Sequence, residues 1–240
     1  MVHVAEVAEV AGRAVAVPFA ALARVRGAKP LHPRGVAFSA RLERWGLLRE
    51  TGVPWLHARG ADDVLVRLSR GAGLPPPLPD LLGCAVRLPG AQPVDLLLSS
   101  TGSGPWGRQV PLLRRDAGCR YGSIMAFRSI AGPVRLTAVP EWSGLSSDRA
   151  GLVARGPGLP IALCAAIGRG PAEPFARITL LTPTDPPDPT VHFDPVLHAP
   201  PGLAADGPMA RFRRPAYAAA RAARGEPLPD DVPAREAGPW

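Results

Sequence analysis

The sequence predicts an α+β protein built on an antiparallel β-barrel of about eight strands, with helices at both ends of the chain. The first observation is a run of strand-like segments between Val36 and Leu181, separated by Gly and Pro turns. The second is that the first four strands follow one another without helices, which favours antiparallel pairing over a parallel α/β sheet. The third is their number, since seven or eight strands close a small barrel able to hold one ligand.

Each strand is predicted from apolar–polar alternation or from a short apolar run bounded by turns. The segments are Val36–Leu42, Val64–Ser69, Gly83–Leu88, Val94–Leu98, Val134–Val139, Leu159–Ile167 and Ala176–Leu181. Along the second strand Arg67 and Ser69 share one face, because side chains alternate in direction. Residues 182–190 are too rich in proline for a strand or a helix, and we predict an extended crossing segment there.

The two ends of the chain are predicted to differ from the barrel. Residues 1–28 are Ala-rich and indicate a helical arm of two short helices parted at Pro18. Residues 29–225 form the predicted barrel domain, which ends in a helix from Pro215 to Arg224. Residues 226–240 are charged and proline-rich, and we expect them to form a flexible tail.

The basic charge of the chain does not indicate a nucleic-acid partner. The net charge is +8 and the isoelectric point is near 10.8, but only Lys29 is a lysine and the chain contains no asparagine. This composition is typical of a GC-rich genome. The arginines are scattered, Arg211, Arg213 and Arg214 form the only close trio, and no basic run alternates with aromatic residues.

The cysteines and the apolar segments indicate a cytoplasmic protein. Cys84, Cys119 and Cys164 form no Cys-x-x-Cys pair and are predicted to be small buried apolar residues in a reducing compartment. No signal peptide is predicted, and neither is a membrane span, because Gly and Pro interrupt the longest uncharged runs. A homo-oligomer is left open.

Among the titratable side chains, His32 is the strongest candidate for chemistry. It lies at the entrance of the first predicted strand, where a stiff backbone holds the imidazole. The alternative is a turn histidine that contacts only water. His192 and His198 lie near prolines, and their spacing is not that of a metal-binding motif. We expect both to be exposed loop residues. Tyr217 has the simple alternative of anchoring its helix to the barrel.

Several blocks of the sequence resemble those of the haem catalases. The blocks are His32-Pro-Arg-Gly35, Val66-Arg67-Leu68-Ser69, Gly83-Cys-Ala-Val86-Arg87 and Asp95-Leu-Leu-Leu-Ser-Ser-Thr101. The family carries His-x-Lys-Gly, Val-Arg-Phe-Ser, Gly-Phe-Ala-Val-Lys and Asp-Leu-x-x-Asn-Asn-Thr at similar separations. The end of the chain, from Phe193-Asp-Pro195 to Arg213 and Tyr217, is similar to that of short catalase-related proteins.

The resemblance implies a catalase-like barrel, a haem cofactor and a role for each matching residue. His32 would be the distal acid–base residue, with Ser69 orienting its imidazole and Ser99 at the position of the family's distal amide. Tyr217 would be the phenolate ligand of the haem iron, with Arg213 beside it to favour the deprotonated form. Arg67 would meet a haem propionate, and Lys29 stands where catalases usually carry a second propionate-binding residue, an arginine.

The chain also departs from the catalase pattern. Ser99 replaces an amide, no Phe-Phe pair follows Thr101, and Pro215 lies between Arg213 and Tyr217. Despite these departures, the resemblance implies a catalase-related haem peroxidase that consumes hydrogen peroxide or organic hydroperoxides. The alternative is a haem-free descendant of the same barrel that binds an apolar small molecule or a protein partner.

Overall fold

The structure, a computed structural model, describes residues 32–205, which contain nine strands and three short helices. The helices are α1 (Pro54–His57), α2 (Gly104–Gly107) and α3 (Arg149–Arg155). The strands are β1 (Arg34–Arg44), β2 (Gly60–Arg70), β3 (Asp80–Leu88), β4 (Val94–Ser100), β5 (Leu113–Arg114), β6 (Tyr121–Gly122), β7 (Val134–Pro140), β8 (Pro160–Ile167) and β9 (Glu173–Pro183).

Eight of the strands form a closed antiparallel barrel, as the sequence predicts. The order around the barrel is β1, β2, β3, β4, β6, β7, β8 and β9, and β9 returns to pair with β1. Every pairing is antiparallel. Strand β5 stands outside this ring and pairs with the beginning of β3 at Asp80 and Leu81. Closure leaves no unpaired edge along most of the barrel.

Large apolar side chains form one core cluster within the barrel. On β1 the buried positions Val36, Phe38, Ala40 and Leu42 follow the period of two that the sequence predicts. Neighbouring strands contribute residues such as Val66, Leu68, Leu82, Val86, Leu96, Tyr121, Leu136, Ile161 and Leu163. Because these side chains occupy the interior, the polar residues that could carry chemistry lie on the outer face.

The outward-facing residues of β1 are exposed at one end of the strand and buried at the other. Ser39, Arg41 and Glu43 are exposed, whereas Gly35 and Ala37 are fully or almost fully buried. The difference arises because β9 pairs with β1 only as far as Phe38 and Pro183. Beyond that point the crossing segment runs along β1. From residue 184 it has no helix or strand, as predicted, whereas residues 182 and 183 belong to β9.

The predicted arm at residues 1–28, the predicted helix Pro215–Arg224 and the tail at 226–240 lie outside the described residues. Within residues 32–205, no helix combines the length and the apolar character needed to cross a membrane.

Candidate functional site

His32 lies two residues before β1 and has an unusual backbone conformation. Its φ angle is +56°, and Ile124 is the other non-glycine residue with a positive φ in the part of the chain that the structure describes. A left-handed conformation costs a residue with a side chain roughly 1–2 kcal/mol, so it persists where other contacts hold it. Here the His32 N–H donates to the Gly71 carbonyl at 2.8 Å, and the His32 carbonyl accepts from Arg67 Nη2 at 3.0 Å.

The Gly71 carbonyl is itself fixed by the loop that connects β2 and β3. At the beginning of β3 the buried Asp80 carboxylate accepts the N–H groups of Ala72 at 2.9 Å and Leu74 at 3.0 Å. Arg70 Nε donates to the Leu74 carbonyl at 2.9 Å. The proline-rich loop is thus closed by one buried acid and one buried arginine, and it presents Gly71 to His32 in a defined position.

The imidazole of His32 lies over a row of small residues on the outer face. Strand register aligns Gly35 on β1, Ser69 on β2, Gly83 on β3, Ser99 on β4 and Gly122 on β6. A Cβ atom built at Gly83 would lie 2.5 Å from His32 Cε1 and 2.7 Å from Nδ1. The ring therefore rests directly on Gly83, beside Ser69.

Ser69 binds the imidazole and determines which nitrogen is left available. His32 Nδ1 lies 2.9 Å from Ser69 Oγ. The Ser69 hydroxyl also lies 3.5 Å from the Gly83 carbonyl, which can only accept a hydrogen bond. If Ser69 donates to that carbonyl, it accepts from Nδ1–H. The lone pair is then on Nε2, which makes no hydrogen bond within residues 32–205.

The surroundings keep the imidazole neutral. Burial disfavours the charged ring, and the Arg67 guanidinium adds repulsion, so the pKa of His32 falls from 6.5 to about 4 despite the attraction of Asp80. At neutral pH the side chain is therefore an uncharged imidazole, able to accept a proton on Nε2.

Ser99 flanks the same site on the other side of Gly83. It is in register with Gly83 and with Gly122, and its side chain is partly exposed. Its hydroxyl makes no hydrogen bond to any of the described residues, so it is available to a ligand. The sequence-predicted residues His32, Ser69 and Ser99 thus lie on neighbouring positions of one surface.

Arg67 adjoins the site, but its main partner was not predicted. Its Nε donates to Asp188 Oδ1 at 2.8 Å and its Nη2 to Asp188 Oδ2 at 3.1 Å, a two-pronged pair with both side chains largely buried. The Asp188 carboxylate also accepts the Gly35 N–H at 2.9 Å. Arg67 Nη1 has no hydrogen-bond partner within residues 32–205. No local sequence pattern indicates this pair, because the two residues are 121 positions apart.

A second buried polar cluster lies further along the outer face of β3 and β4. The Asp95 carboxylate accepts from Arg87 Nε at 2.7 Å and Nη2 at 2.6 Å, and from the Asp194 N–H at 2.8 Å. His198 Nδ1 lies 2.8 Å from the same carboxylate, so His198 is partly buried and paired rather than an exposed loop residue. Burial opposes ionisation, but these hydrogen bonds outweigh it and lower the pKa of Asp95.

Three of the predicted cofactor-binding residues, Lys29, Arg213 and Tyr217, lie outside the described residues. Of the predicted cysteines, Cys84 and Cys164 are buried and Cys119 is partly buried, and all three are free thiols. Among residues 32–205 no group of three or more His, Cys, Asp or Glu side chains is arranged to hold a metal ion.

Comparison of the chain with models of known protein families and with curated proteins finds no match.

Proposed function

We propose that this chain is a catalase-related haem protein that acts on hydrogen peroxide or an organic hydroperoxide, with His32 as its acid–base residue. The observation that carries the proposal is the His32–Ser69 pair, 2.9 Å apart on the outer barrel face. The two residues are 37 positions apart in the sequence, and the resemblance to catalases implies that they belong to one site.

Two polar groups on this face support a haem cofactor. His32 Nε2 and Arg67 Nη1 make no hydrogen bond within residues 32–205, and the glycines at positions 35 and 83 leave room for the Arg67 guanidinium and the His32 ring. Arg67 Nη1 is available to a ligand carboxylate such as a propionate. By the resemblance, Tyr217 would hold the iron with Arg213 beside it, and Lys29 would meet the other propionate. When bound, haem would supply the iron that polarises the peroxide and exchanges electrons with it.

The protein side chains would move the proton. A neutral His32 accepts the peroxide proton on Nε2 and returns it to the other peroxide oxygen. Ser69 keeps Nδ1 protonated during this exchange, so the reacting nitrogen stays the same. Ser99 would donate a hydrogen bond to the peroxide, in place of the amide found in catalases. A hydroxyl is shorter than an amide, so we expect weaker positioning and slower turnover than in a catalase.

The visible spectrum of protein purified from haem-supplemented cells tests the proposal. We expect a Soret band that is lost in Tyr217→Phe, which removes the ligating oxygen but keeps the ring. Tyr121→Phe is the matched control, because Tyr121 is the other tyrosine and its hydroxyl donates to the Ala117 carbonyl inside the barrel. His32→Ala should retain haem but slow peroxide consumption by about 10²–10⁴-fold. Absence of a Soret band, even after reconstitution with haem, would exclude this function.

A second candidate is a haem-free protein of the same barrel type that binds an apolar small molecule or a protein partner. It is favoured by Ser99 in place of the distal amide and by the missing Phe-Phe pair after Thr101. Native mass spectrometry of the protein from its own host would reveal a bound metabolite. We place either activity in the cytoplasm, where a reducing environment would maintain the three free thiols.

A further inference from the structure

From residue 184 onwards, the crossing segment takes the place of β9 beside β1. The Thr184 N–H donates to the Ala37 carbonyl at 2.9 Å, and the Ala37 N–H donates to the Pro187 carbonyl at 2.7 Å. One step further along β1, the Gly35 N–H is bound by the Asp188 side chain instead of a backbone carbonyl. A proline-rich segment thereby places one carboxylate at the point where β1 approaches His32.

Asp188 also determines the position of Arg67. The two parallel hydrogen bonds fix the plane of the guanidinium, and a Cβ atom at Gly35 would lie 2.8 Å from Arg67 Cζ, so the guanidinium lies flat against β1. In this position Arg67 Nη2 reaches the His32 carbonyl at 3.0 Å. The exposed Arg149 lies 3.9 Å from Asp188 Oδ2 and contacts it from α3.

The contacts form a continuous chain from Asp188 to the imidazole. Asp188 binds Arg67, and Arg67 binds the backbone carbonyl of His32, whose φ angle is +56°. That backbone conformation brings His32 Nδ1 within hydrogen-bond distance of Ser69 Oγ. We propose that Asp188 is a positioning residue for His32 and acts through Arg67. The catalytic consequence rests on the proposed function, whereas the effect on the imidazole does not require haem or peroxide.

A purely structural ion pair is the alternative, and the chain contains a matched example. Arg87 and Asp95 also form a two-pronged, largely buried pair on the outer face, and Asp95 also binds a later segment of the chain at Asp194. The pair has no contact with His32 among the described residues. Asp95→Asn therefore reproduces the loss of a buried charge without disturbing the contacts of the imidazole.

Proton NMR titration of the His32 ring in the full-length protein without haem tests the proposal. The His32 Cε1–H signal is assigned by its loss in His32→Gln. Asp188→Asn should release Arg67 from the His32 carbonyl, so the ring becomes more exposed. The pKa of His32 should then rise from about 4, because burial lowers it more than the Arg67 charge does. Asp95→Asn should leave that value within a few tenths of a unit. An unchanged His32 pKa in Asp188→Asn would overturn the proposal.

A second variant keeps the test decisive if Asp188→Asn does not fold. Arg67→Lys retains a positive charge but lacks the planar fork that binds the carboxylate and the carbonyl together, so we expect the same rise in the His32 pKa. If the haem protein is active, Asp188→Asn should lower kcat by about 10–100-fold with little change in KM, as misplacement of a catalytic group does. If haem is not bound, the titration result still stands, so failure of the proposed function and failure of this inference are distinguishable.

Discussion

Gly83 lies so close beneath His32 that no side chain is possible at this position without moving the imidazole. A Cβ atom there would be 2.5 Å from His32 Cε1, 2.7 Å from Nδ1 and 2.8 Å from Ser69 Oγ. Gly83 is in register with Ser69, so the strand pairing itself brings the glycine under the ring. The site therefore depends on a missing side chain as much as on the two polar ones.

Gly83→Ala should consequently displace the His32 ring from Ser69. We expect the pKa of His32 to rise from about 4 towards its ordinary value, because a displaced ring is better solvated. Crowding should also reduce the free energy of unfolding by about 1–3 kcal/mol. NMR titration and urea unfolding measure the two effects. Gly151→Ala in α3 is the control, since a Cβ atom there lies 3.3 Å from the nearest carboxylate oxygen, and we expect a change within about 1 kcal/mol.

Ser69→Ala removes the only hydrogen-bond partner that the His32 imidazole has within residues 32–205. The free energy of unfolding should fall by about 1–2 kcal/mol, since one partly buried hydrogen bond is lost and Nδ1 remains unsatisfied. Peroxide consumption by the haem protein should fall as well, because the reacting tautomer is no longer fixed. Ser39→Ala is the control: the Ser39 hydroxyl bonds to Thr182 at the exposed surface, and its loss should cost less than about 0.5 kcal/mol. Equal losses in both variants would argue against a special role for Ser69.

Asp95→Asn should be among the more destabilising single changes on the outer face. Asp95 is fully buried and accepts hydrogen bonds from Arg87, from the Asp194 backbone and from His198. An amide in its place removes the carboxylate charge that Arg87 binds, and breaking a buried ion pair typically costs about 3–5 kcal/mol. Asp63→Asn is the comparison, because Asp63 binds Arg41 in an exposed pair and should contribute at most about 1 kcal/mol. Chemical unfolding of the wild type and both variants at neutral pH measures these losses of unfolding free energy. A loss in Asp95→Asn no larger than that in Asp63→Asn would contradict the prediction.

Local patterns were sufficient to predict most of the barrel. The apolar alternation along β1 and the turns between the long strands are short-range signals, and the structure contains all seven predicted strands with shifted ends. Strand β6 was missed because it has only two residues, Tyr121 and Gly122, and its position is determined by neighbours on both sides. A segment of that length has no periodicity to detect, yet it supplies the eighth strand of the barrel.

The candidate site was predictable only in part, because some of its contacts come from a segment without a local sequence pattern. His32, Ser69 and Ser99 were predicted from sequence blocks, and strand register places the two serines on either side of Gly83, on which the His32 ring rests. Asp188 was missed because the crossing segment has no regular structure, so its sequence does not indicate which side chain faces the barrel. The pairing with Arg67 spans 121 positions in the chain and depends on where β9 stops. Such a contact follows from the closed fold and from no local pattern.

The pH dependence of stability should reveal the buried imidazole without any assumption about function. The pKa of His32 is about 4 in the folded protein and near 6.5 when unfolded, so between these values the unfolded chain binds more protons. The contribution of His32 is therefore complete above pH 6.5 and is lost as the pH falls from 6.5 to 4. Asp95 has a lowered pKa, so its contribution is lost only below the ordinary range of a carboxyl group.

Urea unfolding of wild type and His32→Gln at pH 7 and pH 5 measures the contribution of His32 to the pH dependence of stability. Between these pH values the wild type should lose about 2 kcal/mol more of its unfolding free energy than the variant does. The comparison of slopes matters, because the substitution itself also changes stability at pH 7. Parallel slopes for wild type and His32→Gln would mean that the imidazole is as well solvated in the folded protein as in the unfolded chain, and the neutral-base role of His32 would lose its physical basis.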